Sequence, residues 1–182
     1  MVPDGVALGA AEAAAAARSA LARSVSVEAV AGLLGFDVPL AVRVEVLREC
    51  GRAGCAFGLA LAADALCRAA VLAGAGEALA ETGMAYARER VVFGRPLAAM
   101  PVQRAAFASV AAGVEASVAL ARRVASGAGS AWDADAVLPY ALDTAWAAAE
   151  AALQVHGGYG YTDAFPVSRM WREVAAARAA LL

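Results

Sequence analysis

Gln154-Val155-His156-Gly157-Gly158-Tyr159-Gly160-Tyr161 interrupts a chain that otherwise reads as helix. Three glycines stand within four positions, flanked by two tyrosines and the only histidine. A single glycine is what an ordinary helix C-cap requires. Three of them, led by Gln154 and followed by Pro166, Arg169 and Arg172, exceed that need. Without Cβ atoms such a stretch turns freely and lets a ligand approach bare peptide N–H groups.

Helical segments lie on both sides. A sixth helix predicted over 133–155 leads into the glycines, with Pro139 near its start, and a seventh runs from about 163 to the end. Upstream, Asp4 caps a first helix over 6–23 and Ser26 a second that stops at Gly35. Pro39 opens a third, reaching Cys50, with Val42, Val46 and Leu47 on one side and Arg43, Glu45, Arg48 and Glu49 on a more polar one. The fourth and longest is predicted over 56–91, where Leu59, Ala63, Leu66, Ala70 and Ala73 recur at helical spacing. Gly74, Gly76 and Gly83 inside it would each cost about 1 kcal/mol against Ala, so they mark close approach of neighbouring helices. Phe93-Gly94-Arg95-Pro96 ends it, and a fifth covers 99–127. No stretch has the alternation of a strand. The last four helices, with short connections, fit an all-α, up-and-down four-helix bundle over 56–182, with residues 1–55 as a short helical N-terminal appendage.

Composition narrows the function. Hydrophobic residues make up 62% of the 182 and alanine dominates, which demands many closely packed helices. All fifteen basic residues are arginine, and the net charge of −2 leaves no basic footprint for nucleic acid. Cys50, Cys55 and Cys67 lack metal-site spacing and suit a reducing, cytoplasmic setting. No metal site is expected. The apolar run at 56–80 carries Asp64, Arg68 and Glu77, which argues for burial in protein and against a membrane span. The Ala-rich start lacks the basic opening of a signal peptide.

The glycine stretch, with Pro166, Arg169 and Arg172-Glu173 behind it, resembles the closing motif of acyl-CoA dehydrogenases. Tyr86-Ala-Arg-Glu-Arg90-Val-Val-Phe93-Gly94-Arg95-Pro96-Leu97 is similar to the other motif of that family's C-terminal domain, in the right order. The resemblance covers residues 58–182. It implies a truncated member, with 1–55 as a reduced N-terminal helical domain and no counterpart of the middle β-domain. It further implies FAD bound at a neighbouring subunit, with Arg90 on the pyrophosphate and Phe93, Gln154, Gly157 and Gly158 alongside. Taken alone, Arg90 is a basic residue favourably placed at a helix end.

Departures accompany the matches. Pro101 stands where the family carries a glutamine near the flavin, and Gln103 is the nearest substitute. Family members need a carboxylate to take the α-proton while FAD takes the β-hydride. In many that glutamate follows the last helix, and the matching place here is Leu181. In others it lies early on the first long helix, which matches Asp64. Its apolar neighbours would desolvate Asp64 and raise its pKa, suiting it to proton transfer; pairing with Arg68 is the plainer role. His156 reads as a structural residue at the helix end.

Three functions follow. The resemblance implies an FAD-sharing oxidoreductase subunit acting on an acyl thioester bound to CoA or a carrier protein. The missing β-domain and Pro101 raise a flavin-free dehydratase, isomerase or cyclase that uses Asp64. The third is a non-catalytic partner of a fuller dehydrogenase chain. At least a homodimer, or a hetero-oligomer with such a chain, is expected.

Overall fold

The computed structural model describes residues 39–54 and 64–181, together with positions 9, 11, 12, 15, 16 and 19. The first two predicted helices and the first turns of the fourth lie outside the described residues, apart from helical positions between 11 and 19. Five long helices follow: α1 (Leu40–Ala53), α2 (Ala65–Glu89), α3 (Pro101–Ala125), α4 (Ala131–His156) and α5 (Pro166–Leu181). The all-α reading holds, and the connections are short.

α2 is the central helix, and its broadest interface is with α4. The two run parallel. A Cβ built on Gly76 would lie 3.5 Å from the Ala145 Cα, and one built on Gly83 would lie 3.0 Å from the Ala152 Cα. α3 runs antiparallel to α2, since the same two glycines face Val114 and Phe107 respectively. α5 runs antiparallel to α4, with Trp171 Nε1 donating to Glu150 and Arg178 to Asp143. The glycines of α2 thus sit where neighbouring helices approach, and their helix-propensity cost is offset by close packing. The core is made largely of alanine and valine on α2 and α4, with Leu47, Leu72, Leu79 and Leu142 as its largest fully buried members.

Among the described residues, α3 is the one helix long and apolar enough to cross a membrane. Its Phe107, Val110, Val114, Val118 and Ala121 are buried as one stripe, the pattern of a bundle helix. Ser117 and Thr144 hydrogen-bond across the α3–α4 interface at 3.2 Å, and Thr144 also donates to Tyr140 O.

Four expectations need correction. Residues 91–96 form a small antiparallel hairpin, β1 (Val91–Val92) on β2 (Arg95–Pro96). Phe93 and Gly94 turn it, at φ +53° and +75°, the double positive-φ pattern of a type I′ turn. Strands of two residues show no alternation, which is why the sequence does not betray them. Second, α2 starts at Ala65, with Asp64 as its N-cap. Third, Pro139 lies two turns inside α4, because the helix begins earlier at a Ser130–Asp133 capping box. Pro139 is exposed, so water can satisfy the carbonyl it leaves free.

The fourth concerns α1, whose polar side faces the bundle. Glu45 and Glu49 are buried. Arg48 donates to both Glu77 oxygens at 2.7 and 2.6 Å, Arg52 bridges Glu77 and Glu81, and Arg122 of α3 reaches Glu45. At the crossing, Gly51 lies against the Val71 backbone and Gly74 against the Arg48 backbone, so closely that a Cβ on either would overlap the other helix. α1 is therefore docked by backbone contact and by charge, and Val44 and Leu47 join the main core.

Candidate functional site

The last turns of α2 and α4 lie side by side at one end of the bundle. The Tyr86 and His156 rings stack with centroids 4.0 Å apart and planes inclined at 22°. Arg90 follows one helical turn after Tyr86, and Gly157 directly follows His156. The base of the hairpin is held there too: Leu97 N–H donates to Arg90 O, and Leu97 and Ala98 pack on Ala87, Phe107 and Val155. The structure thus gathers Arg90, Phe93, Gln154, Gly157 and Gly158 at one end.

Each is presented outward. Arg90 caps α2 through its backbone, its N–H donating to Tyr86 O, and its side chain is exposed. None of Arg88, Arg90, Arg95 and Arg104 has an ion-pair partner among the described residues. Phe93 is 93% exposed at the hairpin tip, with a left-handed backbone that disfavours a bulky side chain. Gln154 is exposed, and its carbonyl accepts from Gly157 N–H.

The glycines differ in what fixes them. Gly157 has φ +59° and ψ −140°, a conformation only glycine adopts readily. Gly160 is buried, and a Cβ there would meet His156 and Leu153 at 3.0 Å. Gly158 is exposed, and a Cβ on it would meet nothing within 4 Å. Packing among the described residues gives no reason for glycine at 158. A bare, outward peptide surface beside unpaired guanidinium groups is the donor set that suits a phosphate-bearing ligand.

Asp64 lies elsewhere. α2 separates it from Arg90 by about 39 Å at the usual rise per residue, so one ligand cannot touch both in a single chain. Asp64 is exposed, and its Oδ1 accepts from Cys67 N–H at 2.8 Å. The expected desolvation is absent, because Asp64 stands before the helix and not within it. No ion pair with Arg68 forms among the described residues. Burial and the Asp64 charge push the Cys67 thiol up to about 11, and burial with Glu49 does the same for Cys50. Both stay protonated and act as small apolar groups.

Gln103 is half-buried in the first turn of α3, which Pro101 begins. Arg169 and Arg172 are committed within the chain, to Glu173 and to Asp163 with Ser168. His156 is 4% exposed, its Nδ1 2.7 Å from Ala152 O. No group of acidic, histidine or cysteine side chains suited to a metal occurs among the described residues. The sequence hid the Tyr86–His156 stack, since the two lie seventy positions apart with no signal of their pairing.

This architecture is that of a known domain. The family model for the C-terminal domain of acyl-CoA dehydrogenases matches residues 56–180. The chain belongs to the acyl-CoA dehydrogenase family, through that domain. It is 35% identical over 130 residues to an acyl-CoA dehydrogenase of Bacillus subtilis (strain 168), covering 68% of this chain and 34% of that protein. A second protein of that organism, named probable acyl-CoA dehydrogenase YngJ, is 31% identical over 115 residues, 58% of this chain and 29% of its own length. Butyryl-CoA dehydrogenase from Megasphaera elsdenii superposes with a TM-score of 0.57 at 25% identity, over 75% of this chain and 33% of that one. A glutaryl-coenzyme A dehydrogenase in complex with glutaryl-CoA shares the fold, at a TM-score of 0.57 and 24% identity, over 70% of this chain and 32% of its own. The chain spans about a third of the length of these relatives.

Proposed function

We propose that this chain is an FAD-sharing subunit of a cytoplasmic oxidoreductase acting on acyl thioesters. The observation that carries the reading is the hairpin end itself: unpaired Arg90, bare Gly157 and Gly158, and an exposed, left-handed Phe93. Arg90 would hold the pyrophosphate of FAD, the bare backbone at Gly157 and Gly158 would let it approach closely, and Phe93 and Gln154 would line it. When bound, FAD would supply hydride acceptance. This chain's own part is to bind and orient the dinucleotide from one side.

A second subunit would complete the site, either another copy or a fuller acyl-CoA dehydrogenase-like chain. The groove between α3 and α4, of about 420 Å³ and lined by Ala106, Gly113, Thr144 and Ala147 among others, suits close packing by its helices. Asp64 is the carboxylate proposed for proton transfer, in a separate site at the far end of α2. The Asn variant tests it, because Asn keeps the capping oxygen and loses the charge.

Co-expression with a full-length acyl-CoA dehydrogenase chain, followed by purification through a tag on this protein, tests the main reading. A yellow complex with a flavin absorbance band is expected, and Arg90→Ala should bleach it. A colourless complex that forms regardless of Arg90 would instead make the chain a non-catalytic partner.

A further inference from the structure

We infer that Tyr86 and His156 are positioning residues, whose stack fixes the spacing between the Arg90 turn of α2 and the glycine turn after α4. What they position is named by the FAD reading above; that they position it follows from the geometry alone.

His156 is held on four sides. Tyr86 lies flat against it from α2. Phe165, at the entry to α5, meets both rings edge-on, with centroids 5.7 Å from Tyr86 and 5.5 Å from His156. Gly160 folds back so tightly that a Cβ there would lie 3.0 Å from the His156 Cβ. The fourth contact is Nδ1 to Ala152 O at 2.7 Å. A carbonyl only accepts, so Nδ1 carries the proton and the ring plane is fixed relative to α4. Tyr159 packs on Phe165 with ring centroids 6.0 Å apart.

Two short covalent arms leave this stack. One turn of helix leads from Tyr86 to Arg90, and one peptide bond leads from His156 to Gly157. Beyond local backbone hydrogen bonds, Leu97 N–H to Arg90 O and Gly157 N–H to Gln154 O, neither arm has side-chain support among the described residues. Among the described residues the Arg90 side chain has no partner, and Cβ atoms on Gly157 and Gly158 would touch nothing. An anion lying between the Arg90 guanidinium and the glycine turn would therefore meet a gap set by two stacked rings. Where groups must be held in register, a misplacement on the order of 1 Å can cost about a hundredfold in rate.

Amide hydrogen exchange on the full chain tests this without flavin. Tyr86→Ala and His156→Ala should speed exchange across Gly157–Tyr161 by about tenfold or more, leaving the α3–α4 connection at Ser126–Ser130 unchanged. Tyr86→Phe and His156→Phe, which keep the stack, should restore protection. Tyr86→Leu serves should the alanine variant fail to fold. Unchanged exchange at Gly157–Tyr161, or acceleration spread evenly over the molecule, would overturn the inference. In the co-expressed complex, FAD retention should fall in the alanine variants and recover in the phenylalanine ones. A wild-type complex that retains no FAD defeats the functional reading, while the exchange result still decides the positional one.

Discussion

Gly157, Gly158 and Gly160 occupy one turn for three different reasons, and substitution separates them. Gly157→Ala forces a side chain into a positive-φ conformation and should cost about 1–3 kcal/mol. Gly158→Ala meets open space, so the melting temperature should stay within a degree or two, as for an ordinary surface change of about 0.5 kcal/mol or less. It should nonetheless weaken FAD retention in the complex. Phe93 makes the same argument from the opposite direction. Its left-handed backbone disfavours folding, and Phe93→Asn should stabilise the chain by several tenths to about 1 kcal/mol, judged by thermal melting. The same variant should lose flavin. Loss of stability in Phe93→Asn would mean that the aromatic ring serves the fold. At the other end of α2, Asp64→Ala should cost about 1 kcal/mol through the lost cap, and Asp64→Asn only a few tenths.

At the scale of elements, α1 depends on Gly51 and Gly74. Alanine at either place meets backbone that cannot rotate away, so the cost should reach about 3 kcal/mol, the upper range for overpacking, in a denaturant melt. Burial works against the charge on Glu45, but hydrogen bonds and charge from Arg122 and Arg48 outweigh it, and the carboxyl titrates below the ordinary glutamate value. A depressed folded-state pKa gives stability that is full above the unfolded value near 4.5 and fades as pH falls through the folded one. Glu45→Gln should therefore lower stability at neutral pH and flatten its decline in acid. The sequence made the close approaches of α2 legible, because glycine inside a long helix has a cost that only packing repays. It concealed the burial of Glu45 and Glu49. The available signal was Glu77 and Glu81, spaced one turn apart in the middle of a largely apolar helix, opposite Arg48 and Arg52. The hairpin was hidden for a plainer reason: a two-residue strand has no periodicity to read.

For the whole molecule, the parallel pairing of α2 and α4 matters most, since it brings the ends of two distant segments together. Motif residues named both ends, but only the fold shows that a ring stack joins them and that Asp64 is remote. On the proposed reading, this end forms one side of a dinucleotide site that a second subunit completes. FAD titration of the co-expressed complex, followed by flavin fluorescence, tests it most directly. Saturable binding is predicted, with Arg90→Ala weakening it roughly ten- to a hundredfold, the worth of a charged hydrogen bond of about 1.5–3 kcal/mol. Binding of equal strength in the wild-type and Arg90→Ala complexes would contradict the claim.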